Sequence, residues 1–288
     1  MKALVTLSLI LTVILSSVIN AQEIEGIATY KTQRKVEMQL DSTHMDDAMR
    51  DRVMAMMKKQ LEREYTLEFT EDESTYKEVE TLDDPETSIG GNGMRFEVQV
   101  VGGGNSDLLY KNVRENRFAN QNEMFGKQFL IKDDLTKRDW VMHKETKNIG
   151  EYTCFKASYT YERDAMRTRT ISNEKEEIQQ PEKPEKETIE VVAWYTPQIP
   201  VKNGPGAYGG LPGLILEVND GELTVLCNKV VLNPKNGLDI KEPKGGKVVS
   251  QEEYDKIMDK KMEEMEERFQ SDGRRKGNGS EIEIRVRG

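Results

Sequence analysis

"YGGLPGLILEV", residues 208–218, places a proline and a glycine inside a run of leucines and isoleucine, in a chain that is 33% charged. Leu211-Pro212-Gly213-Leu214 has the pattern of a type II turn: Pro212 supplies a fixed φ and Gly213 the positive φ required one position later. Gly209 and Gly210 let the backbone come close to that corner. Beyond it Leu214, Leu216 and Val218 alternate with Ile215 and Glu217, the pattern of a strand with an apolar side. Asn219-Asp220-Gly221 reads as a hairpin turn, and Leu223–Leu232 as the returning strand. The corner therefore delivers an apolar strand into a core, and the expected fold is built on β structure.

Working outward, further strands are expected at Ile24–Met38, Tyr65–Val79, Arg95–Val101, Leu108–Val113, Arg117–Asn120, Lys127–Ile131, Trp140–His143, Tyr152–Tyr161, Arg167–Ser172 and Ile189–Tyr195. Helical periods do not intervene between the later ones, so the sheet should be antiparallel rather than assembled from βαβ units. Two amphipathic helices flank it. Thr43-x-x-Asp46 opens the first, over 41–64, with Met45, Met49, Val53, Met56, Met57 and Leu61 spaced by threes and fours. Ser250-x-x-Glu253 caps the second, whose Tyr254, Ile257, Met258, Met262, Met265 and Phe269 share a face, and Asp272-Gly273 stops it. The glycine clusters within 83–94 and 102–106 lack a following Lys-Ser/Thr and read as loops, not phosphate cradles. Residues 173–188 (NEKEEIQQPEKPEKET) are too polar to bury and should form an exposed loop. The expected class is thus α+β and β-dominated: a curved antiparallel sheet, a meander or half-barrel, with an inserted N-terminal helix and an amphipathic C-terminal one. One β-rich domain is expected over 22–270, followed by a polar tail, 271–288, where Ile282, Ile284 and Val286 would suit an edge strand.

The N-terminus sets the compartment. Lys2, the apolar run 3–18 and Ile19-Asn20-Ala21 have the form of a secretory signal peptide, residues 1–21, cut after Ala21. The apolar run carries no following cysteine for a lipid anchor, and no second long apolar segment follows it. The mature chain is expected to be soluble and not membrane-spanning, in the periplasm or secreted. With 42 basic against 52 acidic residues the net charge is −10, and loss of Lys2 makes it one unit more negative. Such a balance disfavours nucleic acid and anionic surfaces as partners. The two cysteines, Cys154 and Cys227, would meet an oxidising environment, where a disulfide between them would stabilise the fold by about 4 kcal/mol. Neither belongs to a C-x-x-C pair.

Gly210-Leu211-Pro212-Gly213-Leu214-Ile215 resembles the signature of the GLPGLI family of exported Bacteroidetes proteins. The resemblance continues through Trp194-Tyr195-Thr196-Pro197-x-Ile199-Pro200 and Gly204-Pro205, and back to Ile149-Gly150-x-Tyr152-x-Cys154-x-Lys156-Ala157. It is specific over about 149–233 and loose elsewhere. It implies an exported protein and a curved antiparallel sheet with helices to one side, a shape similar to periplasmic lipoprotein carriers. It implies no activity, and likeness of fold would not supply one.

Chemistry-bearing patterns are few. His44 and His143 have neither a metal nor a triad context, and the metalloprotease and serine-hydrolase motifs do not occur. No cofactor is expected. Glu217 and Asp220 beside the turn suit a polar hairpin face. Of the 14 methionines, Met45, Met49, Met54, Met56, Met57, Met258, Met262 and Met265 lie on the two expected helices. Thioethers suit Cu(I), but they also suit an adaptable apolar interface. A groove lined by Trp194, Tyr195, Pro197, Pro200, Leu211, Pro212 and Gly213 is the candidate binding surface. The leading expectation is a non-enzymatic envelope protein that binds a lipid, a peptide or another envelope protein on a concave apolar sheet face. An envelope hydrolase using carboxylates is the alternative.

Overall fold

The computed structural model describes residues 24–35, 55, 61–79, 88–91, 94–97, 108–164 and 186–273. Strands β1 (Gly26–Arg34), β2 (Arg63–Phe69), β3 (Glu73–Glu78), β6 (Leu108–Asn112), β7 (Arg117–Met124) and β8 (Lys127–Asp134) form one part of a sheet. Its other part comprises β9 (Val141–Ile149), β10 (Tyr152–Asp164), β11 (Lys186–Thr196), β12 (Leu214–Asn219) and β13 (Leu223–Leu232). With β14 (Lys247–Val249) the order is β14-β8-β7-β6-β3-β2-β1-β13-β12-β11-β10-β9, a single open, curved sheet of 12 strands. The pairing is antiparallel except between β14 and β8, which run parallel. A separate hairpin pairs β4 (Ser88–Gly91) with β5 (Met94–Glu97). The fold is β-dominated, as alternation along the sequence implies.

Several expected elements change their limits for local reasons. Tyr65–Val79 is two strands, β2 and β3: Thr70 N donates to Glu73 O at 2.8 Å and Thr70 Oγ1 accepts from Glu73 N at 3.1 Å, closing a tight turn. The strand expected at Trp140–His143 runs on to Ile149, through charged residues that sit on the outermost strand, where both faces meet solvent. The Asn219-Asp220-Gly221 turn forms as expected: Gly221 has φ +90°, and Asp220 Oδ1 accepts from the amides of Glu222 (3.0 Å) and Leu223 (2.7 Å). Lys186–Thr188, expected in the loop over 173–188, are instead the start of β11, paired with β10. The signal peptide, the strand at 167–172, residues 173–185 of that loop and the strand at 282–286 lie outside the described residues. So does most of the helix expected over 41–64; Arg63 and Glu64 already belong to β2.

Helix α1 (Gln251–Gly273) starts on a reciprocal capping box, Glu253 N donating to Ser250 Oγ at 3.2 Å and Ser250 N to Glu253 Oε2 at 3.1 Å. It covers the β8 end of the sheet, where Tyr254 meets the Phe129 ring edge-on at 5.4 Å and accepts a hydrogen bond from Asn122 Nδ2 at 3.0 Å. The largest apolar cluster gathers Tyr30, Leu67, Phe69, Leu214, Leu216 and Cys227 with Ile199 and Val201 of the β11–β12 connection. A second joins Val191, Ala193 and Tyr195 of β11 to Leu211, Ile215 and Val218. Ile215 is buried although alternation put it on the polar side. It does lie opposite Leu214 and Leu216, but that face is covered as well, by the second cluster, and the bulge where Trp194–Tyr195 faces Glu217–Ile215 brings Val218 to the same side.

Candidate functional site

The connection 197–213 lies against the sheet instead of looping into solvent. β6 and β12 stand five strands apart, about 24 Å along a flat sheet at ~4.8 Å per strand. Curvature lets the connection close that gap. Lys111 of β6 donates from Nζ to the carbonyls of Gly204 (2.7 Å) and Tyr208 (2.9 Å). Ser74 of β3 donates to Asn203 Oδ1 at 2.9 Å, and Tyr30 of β1 donates to Ile215 O at 2.7 Å. Ile199, Val201, Asn203 and Leu211 are all buried. The connection is a plug, held by side chains from remote strands and by its own apolar residues.

Pro212-Gly213 does not form the expected type II corner. Gly213 has no positive φ, and the Leu214 amide donates to Ile199 O at 2.9 Å rather than closing a four-residue turn. The positive φ, +86°, falls at Gly210. Glycine is required at 213 for space: a Cβ there would stand 2.2 Å from Thr196 O and 2.6 Å from its carbonyl carbon. The backbone at Gly213 passes directly over the end of β11.

The residues expected to line a groove separate into two groups. Tyr195 and Leu211 are buried in the second apolar cluster, Gly213 is buried, and Pro197, Pro200 and Pro212 are exposed. Trp194 is half-buried beneath Lys147, whose Nζ stands 4.4 Å from its ring centre and pairs with Glu217 at 2.7 Å. These residues mark the plug and its rim rather than one lined groove. Cys154 and Cys227 are buried free thiols, not a disulfide. They sit on β10 and β13, three strands apart, about 14 Å along a flat sheet. A bridge needs Cα atoms within about 7 Å, so curvature brings them into one apolar cluster without bringing them into bonding reach. Burial pushes the Cys154 thiol up to about 11 and the Cys227 thiol up to about 12.

A cleft that the sequence did not single out opens beside this plug. Its volume is about 680 Å³, and Arg138, Val141, Ser158, Tyr159, Tyr161 and Tyr208 are among its walls. Arg138 lies 5.9 Å and 5.1 Å from the ring centres of Tyr159 and Tyr208, donates from Nε to Tyr159 OH at 3.1 Å, and from Nη1 to Ala207 O at 2.8 Å. Trp140 packs edge-on to Tyr159 at 4.7 Å and donates to Gly209 O at 3.0 Å, fixing the same wall to the plug. Arg138 has no ion-pair partner among the described residues. Lys137 and Asp139 also line the cleft, but neither pairs with Arg138, and a guanidinium held by rings and carbonyls without an ion-pair partner keeps donors for a ligand oxygen. Tyr161 is 40% and Val141 59% exposed, so the cleft carries apolar surface at its mouth.

Two further groups bear on this region. Lys111 is only 2% exposed, and burial, with Arg138 nearby, pulls its ammonium down to about 7. His143 Nε2 and Ser158 Oγ are 2.8 Å apart on adjacent strands. A local sign of the cleft was the alternation of Tyr159 and Tyr161 along β10, with Trp140 just before β9. Arg138 and Lys111 gave no sign: the Thr136 carbonyl two residues before Arg138 accepts only a long bond of 3.4 Å, and the closer acceptors, Tyr159 OH and Ala207 O for Arg138 and the Gly204 and Tyr208 carbonyls for Lys111, lie far away in sequence. Among the described residues no three His, Cys, Asp or Glu side chains gather as a metal requires. No helix there is long and apolar enough to cross a membrane.

Residues 140–217 match the model of a family described as "Protein of unknown function (Porph_ging)". That segment runs from β9 through the plug into β12 and holds most of the cleft. No curated protein matches the chain. Among solved structures, PNGF-II in its C2 and P21 crystal forms is similar at TM-scores of 0.44 and 0.46, with 15% and 13% identity. The alignments cover 81% of this chain in each case but 32% and 33% of the other. The chain therefore spans about a third of the length of PNGF-II, and a likeness of this degree says nothing about activity.

Proposed function

We propose that this protein is an exported envelope protein of the GLPGLI family, acting as a binding module that holds an extended peptide segment in the cleft beside β9. Arg138 carries the reading: a fixed guanidinium, braced by Tyr159 and Tyr208 and without an ion-pair partner among the described residues, suits a ligand carboxylate. The open phenol surface beside it suits apolar side chains, and β9 is an edge strand with Val141 and Met142 59% and 57% exposed. Export rests on the leader-like residues 1–21, and the family on the Gly210–Ile215 signature within the matched segment. A library of displayed random peptides, panned on the purified protein, should enrich sequences bearing carboxylates. Tyr161→Ala and Arg138→Gln should each lose that enrichment, Tyr161→Ala without loss of melting temperature. Enrichment unchanged in both variants would overturn the reading. N-terminal sequencing of the protein from its own cells should begin at Gln22.

The His143–Ser158 contact supports a second reading, a hydrolase with Ser158 as nucleophile. A fluorophosphonate probe decides between them: labelling lost in Ser158→Ala would establish the hydrolase. An unlabelled protein that still selects peptides would favour the binding module.

A further inference from the structure

At the opposite end of the sheet, a groove of about 470 Å³ runs between α1 and the β7–β8 hairpin. That volume is within the range of small-molecule sites, about 300–1,000 Å³. Its apolar lining is contributed by Met124, Phe125 and Phe129 of the hairpin and by Ile257, Met258 and Met265 of α1. Flexible thioethers adapt to a chain of variable shape better than branched side chains do. Its charged lining is mostly basic: Lys127, Lys247, and Lys261 already paired with Glu264 at 2.5 Å. Lys127 and Lys247 have no ion-pair partner among the described residues, in a chain whose net charge is −10. They open β8 and β14, adjacent parallel strands, with Lys247 in register with Phe129, two residues beyond Lys127.

The hairpin turn adds an independent observation. Phe125 has φ +52° and Gly126 φ +70°, so both central residues are left-handed, as in a type I′ turn. Asparagine or glycine is favoured at the first of these positions, and a bulky side chain there is an outlier. Here the strained position carries an aromatic ring that is 45% exposed at the groove. Strained backbone and exposed apolar surface both oppose stability, and such conflicts concentrate where a ligand is held.

We propose that this groove binds a single-chain acyl anion, a fatty acid or a monoacyl lipid, with its chain among the methionines and Phe125 and its acidic head between Lys127 and Lys247. The apolar lining fits a hydrocarbon chain, and the two lysines without partners fit one anionic head rather than a zwitterion or an uncharged alcohol. Titration of the purified protein with 11-(dansylamino)undecanoic acid should give saturable fluorescence enhancement at one site. Palmitate should displace the probe at least tenfold better than hexadecanol. The double variant K127E/K247E should weaken probe and palmitate at least tenfold while leaving hexadecanol nearly unchanged. Phe125→Asn should weaken both several-fold, with a melting temperature equal to or above wild type, because it relieves the turn. A lowered melting temperature in Phe125→Asn with unchanged probe affinity would make the ring a packing residue and overturn the proposal. So would equal displacement by palmitate and hexadecanol, or binding only to anionic vesicles and never to the monomeric probe. These outcomes do not depend on the cleft beside β9, since neither variant touches it.

Discussion

Gly213 and Lys111 show how single residues hold the plug. A methyl group at 213 meets backbone, not a movable side chain, so Gly213→Ala should lower stability by about 1–3 kcal/mol through overpacking. At Gly210 nothing stands near the added methyl and only the positive φ opposes it, so Gly210→Ala should cost about 1 kcal/mol. Urea denaturation of the two variants measures the difference. Lys111 makes stability depend on pH. Its ammonium is pulled down to about 7 in the folded chain, whereas a free lysine titrates near 10.4. Between those values the unfolded chain binds the extra proton, so stability should rise as pH increases from about 7 to about 10. Below about pH 7 the full cost of burying the charge is present. Lys111→Met should abolish this slope. It should also cost roughly 1–3 kcal/mol at pH 9, where the neutral amine still donates and its loss orphans the carbonyls of Gly204 and Tyr208. The deficit should shrink towards pH 6. Chemical denaturation across that range, with equal stability of both proteins at every pH, would refute the assignment.

Among the elements, the connection between β11 and β12 is the one whose role changes on folding. Leu211 and Pro212 are neighbours in sequence, yet Leu211 is fully buried in the second apolar cluster and Pro212 is exposed. Leu211→Ala should therefore cost about 2–5 kcal/mol. Pro212→Ala should cost about 1 kcal/mol or less, chiefly by freeing the unfolded chain. Equal melting midpoints for the two variants would mean that the plug does not pack as described. The hairpin turn after β12 and the cap of α1 were legible from sequence because each closes within three residues of itself. The end of β9 was not. A run of charged residues reads as loop, and only the neighbouring strand β10 recruits it as an edge.

For the whole molecule, curvature decides which distant residues meet. Cys154 and Cys227 share a cluster but not a bond, so unfolding the unreduced protein in guanidinium should release two titratable thiols per chain. In the native state both should react slowly with a thiol reagent at pH 8, because burial holds them protonated well above that pH. Finding no free thiol after unfolding would restore the bridge. The open sheet leaves two ends of different character. α1 covers the β14–β8 end, and β9 leaves the other edge open beside the cleft.

Local patterns in the chain were enough for the strand-rich class, the hairpin after β12, and the span of α1 from its cap to Gly273. Alternation, turn residues and reciprocal caps act over a few residues, so a short window contains the whole interaction. Long-range packing was needed to explain why Gly213 is a glycine, where the charge of Lys111 goes, and why the cysteines stay apart. The same packing brings Arg138 to Tyr208 in the wall of a cleft. Lys111 finds its first acceptor 93 residues away and Arg138 finds one 69 residues away, through a sheet whose curvature no local pattern records.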